Sequence, residues 1–136
     1  MSTPDVFNTK MDLAVVGKHV IIECKGQHAT LSEYDLRTLM INAASEGGAT
    51  VVGCHFHTFG IQQGVTGVVL LAESHITVHT WPESLYAAFD IFMCGRCDPQ
   101  AAAEVICNKF PNDLTNMHSL DRSAPLESSH LRLKHT

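Results

Sequence analysis

The middle of the chain contains two segments with the side-chain pattern of β-strands, one directly after the other. Residues 65–72 form an apolar run rich in β-branched side chains, and residues 76–81 alternate apolar with polar side chains. These patterns predict two strands with a break near Glu73 and Ser74. The rest of the chain must therefore be arranged around a β-sheet.

The segment that follows the apolar run is rich in groups that can do chemistry. One face of its strand carries the polar side chains His75, Thr77, His79 and Trp81, and the other carries Ile76 and Val78, which are expected in the core. Four residues of strand separate His75 from His79 by about 13 Å. That distance exceeds the reach of one metal ion or one proton transfer, so the two histidines are expected to have different roles. Pro82 lacks an N–H group and ends the strand, which leaves Glu83 just beyond it.

Glu73, Ser74 and His75 form a motif that can modify its own backbone. A serine hydroxyl is a weak nucleophile unless a base or a strained geometry activates it. The carbonyl of Glu73 is within reach of the Ser74 hydroxyl without any substrate, and attack there replaces the peptide bond by an ester. Elimination of the ester's carboxylate and hydrolysis of the resulting enamine then leave Ser74 as an amino-terminal pyruvoyl group on a new chain. This ketone condenses with a substrate amine and accepts the electrons left by departing carbon dioxide, as pyridoxal phosphate does.

Several longer strings around this motif resemble the prokaryotic S-adenosylmethionine decarboxylase proenzymes. The strings occupy residues 64–69, 72–83, 86–92 and 94–95, in the family's order and spacing. With weaker similarity upstream, the resemblance covers about residues 17–110. It implies self-cleavage between Glu73 and Ser74, giving a β chain, 1–73, and an α chain, 74–136, with a pyruvoyl cofactor derived from Ser74.

The resemblance also implies roles for individual side chains in processing and in catalysis. His79 matches the processing histidine, whose imidazole can withdraw the proton needed to break down the ester. Thr66 stands where the family usually carries a processing serine; it keeps the hydroxyl and adds a methyl group that restricts χ1. Cys94 matches the cysteine that returns a proton to the carbanion after decarboxylation.

Two further residues are expected to bind the substrate. Glu83 matches the carboxylate that holds the ribose hydroxyls, and Phe59 is the candidate aromatic that stacks on the adenine or the sulfonium. The loop 59–64 lacks the family's usual proline and is one residue longer, and residues 84–85 and Met93 also differ from the family's usual ones. The resemblance further implies that two processed protomers associate, with active sites near their interface.

The predicted function is a self-processing decarboxylase that acts on S-adenosylmethionine and so supplies the aminopropyl donor for spermidine synthesis. One alternative is the same chemistry on another amino acid such as ornithine or arginine. Glu83 argues against it, since a ribose-binding carboxylate has no obvious role there, although it could bind a distal ammonium or guanidinium group instead. The other alternative is an unprocessed, non-catalytic partner of an active paralogue, which only Thr66 favours. The presence of Ser74, His79 and Cys94 together favours the enzyme.

Charge and hydropathy narrow the classes of partner. The net charge of −5 argues against a nucleic-acid role, which needs a basic face. No segment approaches the roughly 18 apolar residues that cross a membrane. Residues 1–11 are polar and lack the charged-then-apolar pattern of a signal peptide, so a cytoplasmic location is predicted.

The cysteines favour reduced thiols over disulfides or a metal site. There are five, an odd number, at positions 24, 54, 94, 97 and 107. Cys94 and Cys97 have the spacing of a zinc or redox motif, but no second pair accompanies them. His55 and His57 could supply missing ligands from one strand face, yet the simpler interpretation is two half-buried histidines and a thiol pair near a turn. We therefore predict no metal, and thiols that lie mostly in the core.

The remaining patterns predict an α+β fold, a two-layer sandwich of a mainly antiparallel sheet with two helices packed on one face. Further strands are predicted at residues 19–25, 50–56 and 86–93, with an additional edge strand at 116–120. One helix is predicted to follow a capping box that begins at Thr30, and this helix ends at residues 47–48. The other has Asp98 as its N-cap and runs to about Lys109. Residues 1–136 are predicted to form a single domain with loose tails at 1–16 and 121–136.

Overall fold

The computed structural model describes residues 15–61 and 63–123. Within these ranges the chain forms one six-stranded sheet in which every neighbouring pair is antiparallel. The strands are β1 (Val15–Lys25), β2 (Val51–Thr58), β3 (Val65–Leu71), β4 (Ser74–Trp81), β5 (Tyr86–Cys94) and β6 (Leu114–Ser123). Their order across the sheet is β2-β3-β4-β5-β1-β6. The two predicted strands of the central segment are therefore neighbours, as β3 and β4.

Two helices cover one face of the sheet. Helix α1 (Glu33–Glu46) contacts β2 and β3, helix α2 (Pro99–Cys107) contacts β1 and β5, and the two helices also contact each other. The Asp98 side chain caps α2 by accepting a hydrogen bond from the Ala101 N–H at 3.1 Å, as predicted. Short 3₁₀ turns follow β1 (Gln27–Thr30) and β4 (Pro82–Ser84). The predicted two-layer α+β architecture is confirmed.

The core lies between the helices and the strand face with the alternate apolar residues. On β4 these are Ile76 and Val78, both fully buried, and on β5 they are Ala87, Phe89, Ile91 and Met93. Leu36 and Met40 of α1 close the layer from the other side. Burying this face accounts for the strand alternation in the sequence, because successive side chains point to opposite faces.

The opposite face of the sheet, which we call the open face, has no helix over it among the described residues. It carries the predicted polar row of β4, and Trp81 stacks on Tyr86 of β5 with ring centroids 5.2 Å apart. The Tyr86 hydroxyl donates a hydrogen bond to Glu23, which, with burial, raises the pKa of Tyr86 to about 12. His19 and Asp90 pair beside them, at 3.0 Å between Nε2 and Oδ1. This part of the open face is thus polar and aromatic.

Several predicted boundaries are wrong. Strand β1 starts at Val15 rather than at residue 19, and β6 extends to Ser123, so part of each predicted loose tail belongs to the sheet. The remaining tail residues, 1–14 and 124–136, lie outside the described residues. Thr30 does not cap α1; its hydroxyl donates to the carbonyl of Gln27, and Ser32 is the cap. Helix α2 ends at Cys107 rather than near Lys109.

The prediction that the cysteines lie mostly in the core is only partly right, because Cys97 and Cys107 are half-buried and pack against the core. All five are free thiols, but only Cys24 is buried, and Cys54 is exposed. Burial raises the pKa of Cys24 to about 12, so this thiol stays protonated and unreactive. Among residues 15–61 and 63–123 no helix is long and apolar enough to cross a membrane. That residues 1–136 form a single domain stays a prediction.

Candidate active site

Glu73 and Ser74 lie at a tight turn between β3 and β4, which we call the cleavage hairpin (residues 71–74). Leu71 pairs with Ser74, so only Ala72 and Glu73 connect the two strands. Glu73 has a φ of 67°, in the left-handed region. Turns with a positive φ at their third residue normally place Gly or Asn there. The proposed scissile bond therefore follows a residue whose side chain disfavours its own backbone conformation.

The surrounding structure holds this turn in place. Leu71 and Ser74 are 4 % and 9 % exposed, and the Ala72 N–H donates a hydrogen bond to the Thr50 carbonyl at 2.9 Å. The Ser74 hydroxyl donates to the Ala72 carbonyl at 3.3 Å, which keeps its oxygen on the turn and away from bulk water. The carbonyl of Glu73, which follows Ala72 directly, is thus close to the nucleophile that the sequence predicts.

Cys94 lies at the same end of the sheet as the cleavage hairpin. It is the last residue of β5, and it lines a cavity of about 540 Å³ together with Glu73 and Arg96. Cys97 also lines this cavity, and its N–H donates to the Cys94 carbonyl at 3.0 Å, closing a turn. Burial, with a smaller effect of Cys94, raises the pKa of the Cys97 thiol. The structure thus brings the predicted proton donor to the predicted cleavage point.

Thr66 and His79 face each other across β3 and β4 at the other end of these strands. They form a directly opposed pair, and the Thr66 Oγ1 lies 3.1 Å from the His79 Nδ1. Threonine in place of serine therefore preserves the hydroxyl–imidazole contact. Both residues line a cavity of about 210 Å³ that we call the histidine pocket, with Phe59, Gln63, Gly64, Thr80, Trp81 and Glu83 as its other lining residues.

The two predicted substrate-binding residues reach the histidine pocket from loops. Phe59 is 61 % exposed and follows β2, and its N–H donates to the Gly64 carbonyl at 3.0 Å, closing the loop. Glu83 lies in the 3₁₀ turn after Pro82, exposed to solvent. At Gly64 a β-carbon would lie 2.1 Å from the Thr80 carbonyl oxygen, so only glycine lets this loop pack against β4. An aromatic ring and a carboxylate at one cavity are groups suited to a nucleoside-like ligand.

Within one chain the cleavage hairpin and the histidine pocket are separate. His79 is five residues further along β4 than Ser74, which corresponds to about 16 Å along the strand. The two side chains also point to opposite faces, Ser74 with the buried Ile76 and His79 with the open-face Trp81. His79 cannot reach the Glu73–Ser74 bond of its own chain by a side-chain rotation.

Sequence reasoning missed two pocket residues on β4. The Thr80 hydroxyl is 4 % exposed and accepts a hydrogen bond from the Val65 N–H at 2.9 Å, which holds β3 at the pocket. Trp81 lies next to the His79 ring, with centroids 6.0 Å apart. The alternation that placed His79 on the open face also placed Trp81 there and was the available signal.

The histidines considered as metal ligands are exposed rather than half-buried as predicted, and they lie on the edge strand β2, with β3 and β4 between it and Cys94 on β5. The structure therefore does not bring His55 and His57 to the Cys94–Cys97 turn. Within the described part of the chain, no three His, Cys, Asp or Glu side chains converge as metal ligands do.

A two-layer fold with a strained serine hairpin and a separate histidine pocket is what we expect of an enzyme that cleaves its own chain. The family model for S-adenosylmethionine decarboxylase matches residues 18–123. The S-adenosylmethionine decarboxylase proenzyme of Prochlorococcus marinus (strain MIT 9313) is 43 % identical over 114 residues, which cover 82 % of this chain and 90 % of that protein. The proenzyme of Pyrococcus furiosus is 37 % identical over 84 % of both chains.

A solved structure agrees with these relatives. The crystal structure of the adenosylmethionine decarboxylase from Aquifex aeolicus VF5 superposes with a TM-score of 0.71 at 30 % identity, over 83 % of this chain and 95 % of that chain. The chain belongs to the S-adenosylmethionine decarboxylase family. The predicted family and the predicted enzyme class, a carboxy-lyase, are confirmed.

Proposed function

We propose that this chain is the proenzyme of a pyruvoyl-dependent decarboxylase that acts on S-adenosylmethionine in the cytoplasm, for spermidine synthesis. The observation that carries the proposal is the cleavage hairpin, where a nearly buried serine follows a left-handed glutamate. Cleavage between Glu73 and Ser74 would give chains 1–73 and 74–136. The names of the relatives supply the substrate, since each is an S-adenosylmethionine decarboxylase proenzyme.

The surroundings of Ser74 fit a pyruvoyl group. Its side chain is small, almost excluded from water and held against the turn, and the neighbouring cavity of about 540 Å³ leaves room for a substrate. When formed there, the ketone supplies an electron sink for the loss of carbon dioxide. The thiol of Cys94 lines the same cavity and would return the proton from its Sγ to the carbon that loses carbon dioxide.

The histidine pocket would bind the nucleoside part of the substrate and process the chain. Phe59 would stack on the adenine or the sulfonium, and the Glu83 carboxylate would accept hydrogen bonds from the ribose hydroxyls. His79, oriented by the Thr66 hydroxyl, would take up the proton needed to break the ester.

Two copies of the chain are needed to join these parts. Within one copy, His79 is about 16 Å along the strand from Ser74, beyond the reach of its side chain. The open face exposes Leu70, Trp81 and Leu120 at 41–51 % of their surface, with no helix over them among the described residues. A two-fold dimer that stacks open face on open face, with its axis perpendicular to β4, runs the two β4 strands in opposite directions, so the histidine pocket of one copy can approach the cleavage hairpin of its partner. Active sites at such an interface complete the proposal.

The first experiment is the intact mass of the purified protein under denaturing, reducing conditions, with a Ser74→Ala variant beside it. The wild type should separate into two chains that break between residues 73 and 74, the larger-numbered one blocked to Edman sequencing and reactive to borohydride. The variant should stay a single species near 14.9 kDa. A wild type that also stays whole after long incubation contradicts self-processing and favours the unprocessed partner.

A second experiment tests whether His79 acts on the partner chain. A His79→Ala chain keeps Ser74, and a Ser74→Ala chain keeps His79; the two are co-expressed with different tags. If the imidazole acts across the interface, the His79→Ala chain is cut in the mixed dimer but remains whole when expressed alone. If that chain stays whole in both cases, while the wild type is cut, the imidazole acts within its own chain.

The substrate alternatives are separated by release of labelled carbon dioxide from S-adenosylmethionine, ornithine and arginine. Release from S-adenosylmethionine alone is expected, because an aromatic ring and a carboxylate share the histidine pocket. Release only from one of the two smaller amino acids contradicts the proposed substrate. The non-catalytic alternative is favoured only by Thr66. Because the Thr66 hydroxyl contacts the His79 ring, this residue leaves the contact proposed for processing in place.

A further inference from the structure

The backbone of Glu73 is in a conformation that its side chain disfavours. Among the described residues, only Glu73 and Leu85 combine a positive φ with a β-carbon. A residue other than Gly, Asn or Asp rarely adopts this conformation, because its β-carbon crowds the following carbonyl. Glu73 is the residue that contributes the carbonyl of the proposed scissile bond.

No side-chain interaction explains this conformation. Glu73 is exposed, and among residues 15–61 and 63–123 its carboxylate makes no hydrogen bond and no ion pair. The turn is fixed by its neighbours instead, through the Leu71–Ser74 pair, the buried Leu71, and the hydrogen bond from Ala72 to Thr50. A strained residue persists when the structure around it determines its geometry.

We propose that the left-handed conformation of Glu73 is a positioning device that favours cleavage of the chain, because the intact turn holds Glu73 in a disfavoured conformation that cleavage relieves. The inference rests on the proposed self-processing and adds a residue whose backbone, rather than its carboxylate, does the work. Glu73 is thus a positioning residue, and Ser74 remains the nucleophile.

The chemistry explains how the strain is used. The Ser74 hydroxyl adds to the Glu73 carbonyl carbon, the carbon–nitrogen bond breaks, the nitrogen takes the proton, and the product is an ester and a free amine. An ester is less stable than an amide, so this exchange is normally uphill. Once the carbon–nitrogen bond is broken, Glu73 is joined to Ser74 through the longer path of the serine side chain, so the turn constrains its backbone less and it can leave the left-handed region. Release of the strain therefore favours both the ester and the transition state that leads to it.

The experiment varies residue 73 by its tolerance of a positive φ. Glu73→Ala and Glu73→Gln keep the strain, Glu73→Gly removes it, and Glu73→Asn relieves part of it. Cleavage is followed by intact mass after dilution from denaturant. We expect the Ala and Gln variants to be cut at similar rates, the Gly variant about tenfold more slowly than Ala, and the Asn variant in between.

Stability gives an independent readout in chains that cannot be cut. In a Ser74→Ala background, Glu73→Gly should melt about 3 °C above Glu73→Ala, the reverse of the usual effect of glycine. The same substitution therefore raises the stability of the uncut chain and slows its cleavage. A defect in folding would lower both the melting temperature and the rate of cleavage, so it would not produce this pattern.

Leu85 provides a matched control, because its φ of 53° lies in the same region but far from the scissile bond along the chain. Leu85→Gly should melt above Leu85→Ala, yet both should be cut at the same rate. Equal cleavage rates for Gly and Ala at residue 73, in a protein whose wild type is cut, overturn the inference and leave self-processing intact. A wild type that is never cut overturns the proposed function itself.

Discussion

Thr66 is the residue to which the resemblance assigns a processing hydroxyl, and this hydroxyl contacts the imidazole of His79. The Oγ1 lies 3.1 Å from the His79 Nδ1, while the added methyl group restricts the side-chain rotation. Thr66→Val keeps the shape and removes the hydroxyl. We expect self-cleavage to slow about tenfold, the typical effect of losing one orienting hydrogen bond.

The control for this prediction is Thr66→Ser, which keeps the hydroxyl. Its time course of cleavage, measured by intact mass, should stay within about threefold of the wild type. Cleavage of Thr66→Val at the wild-type rate would mean that the hydroxyl does not orient the imidazole.

Cys94 and Cys97 line the same cavity, and only the first is expected to take part in the reaction. Cys94→Ser should still cleave itself but should release carbon dioxide from S-adenosylmethionine about a hundredfold more slowly, because a hydroxyl is a far weaker acid than a thiol. Burial and the neighbouring Cys94 raise the pKa of the Cys97 thiol, which donates a hydrogen bond to the Gly48 carbonyl at 3.7 Å. We therefore expect Cys97 to have a structural role.

The matched variant Cys97→Ser should therefore keep turnover within about threefold of the wild type. The measurement is the steady-state rate of labelled carbon dioxide release after complete cleavage has been verified by mass. If Cys97→Ser loses as much turnover as Cys94→Ser, the proton donor is not assigned to the right thiol.

At the scale of elements, His28 and Asp113 join three parts of the fold. The His28 ring is fully buried, with its Nδ1 2.8 Å from the Asp113 carboxylate and its Nε2 2.7 Å from the Ile106 carbonyl. Burial by itself raises the pKa of Asp113, but the N–H groups of Gln27 and His28 and the His28 ring outweigh it, and the pKa is lowered. The pair thus connects the 3₁₀ turn after β1, the end of α2 and the loop before β6.

This depressed pKa predicts a loss of stability in acid. A carboxyl that binds its proton less readily when folded stabilises the protein above its unfolded pKa of about 3.9, and this contribution disappears as the pH falls through the lower folded value. Asp113→Asn should therefore lower the free energy of unfolding by about 2 kcal/mol at pH 7, and the difference from the wild type should shrink below about pH 4.

Urea unfolding at pH 7 and pH 3 measures this difference. The control is Asp121→Asn, because that carboxylate is 57 % exposed and pairs with Lys18 at the surface. We expect it to change the free energy of unfolding by less than about 0.5 kcal/mol at both pH values. A constant deficit of Asp113→Asn at pH 7 and pH 3 would mean that the carboxylate charge does not act as described.

Local patterns predicted the elements well where the pattern and the packing agree. The alternation on β4 placed Ile76 and Val78 in the core and His79 on the other face, and the structure has them there. The limits of β1 and β6 were not predictable in this way, because β6 is exposed along its whole length and has no apolar face. Its strand conformation comes from pairing with β1, which is a long-range contact.

At the scale of the whole molecule, the resemblance predicts the reacting residues, and strand geometry limits how one chain can group them. Resemblance indicated Ser74, His79 and Cys94, yet strand length separates His79 from the other two within one chain, and side-chain direction separates it from Ser74. Strand length and side-chain direction both follow from strand geometry. The predicted distance between His75 and His79 already implied that one strand cannot bring its polar groups to one point. The remaining step, a second copy, depends on a surface that sequence periodicity does not reveal.

The proposed dimer makes a prediction about Leu70, which lies on the open face and is 49 % exposed. Leu70→Asp adds a charge that water can solvate in a single chain, so the cost to folding is small, but an interface would desolvate it. The variant should therefore sediment as a monomer and remain uncut, because each hairpin loses the partner's His79.

The control is Tyr34→Asp on helix α1. Tyr34 is 70 % exposed and lies on the opposite side of the molecule, so this variant should remain a dimer and be cut normally. Sedimentation and intact mass on the same samples give both results, and a monomeric Leu70→Asp that still cuts itself would show that one copy completes the site alone.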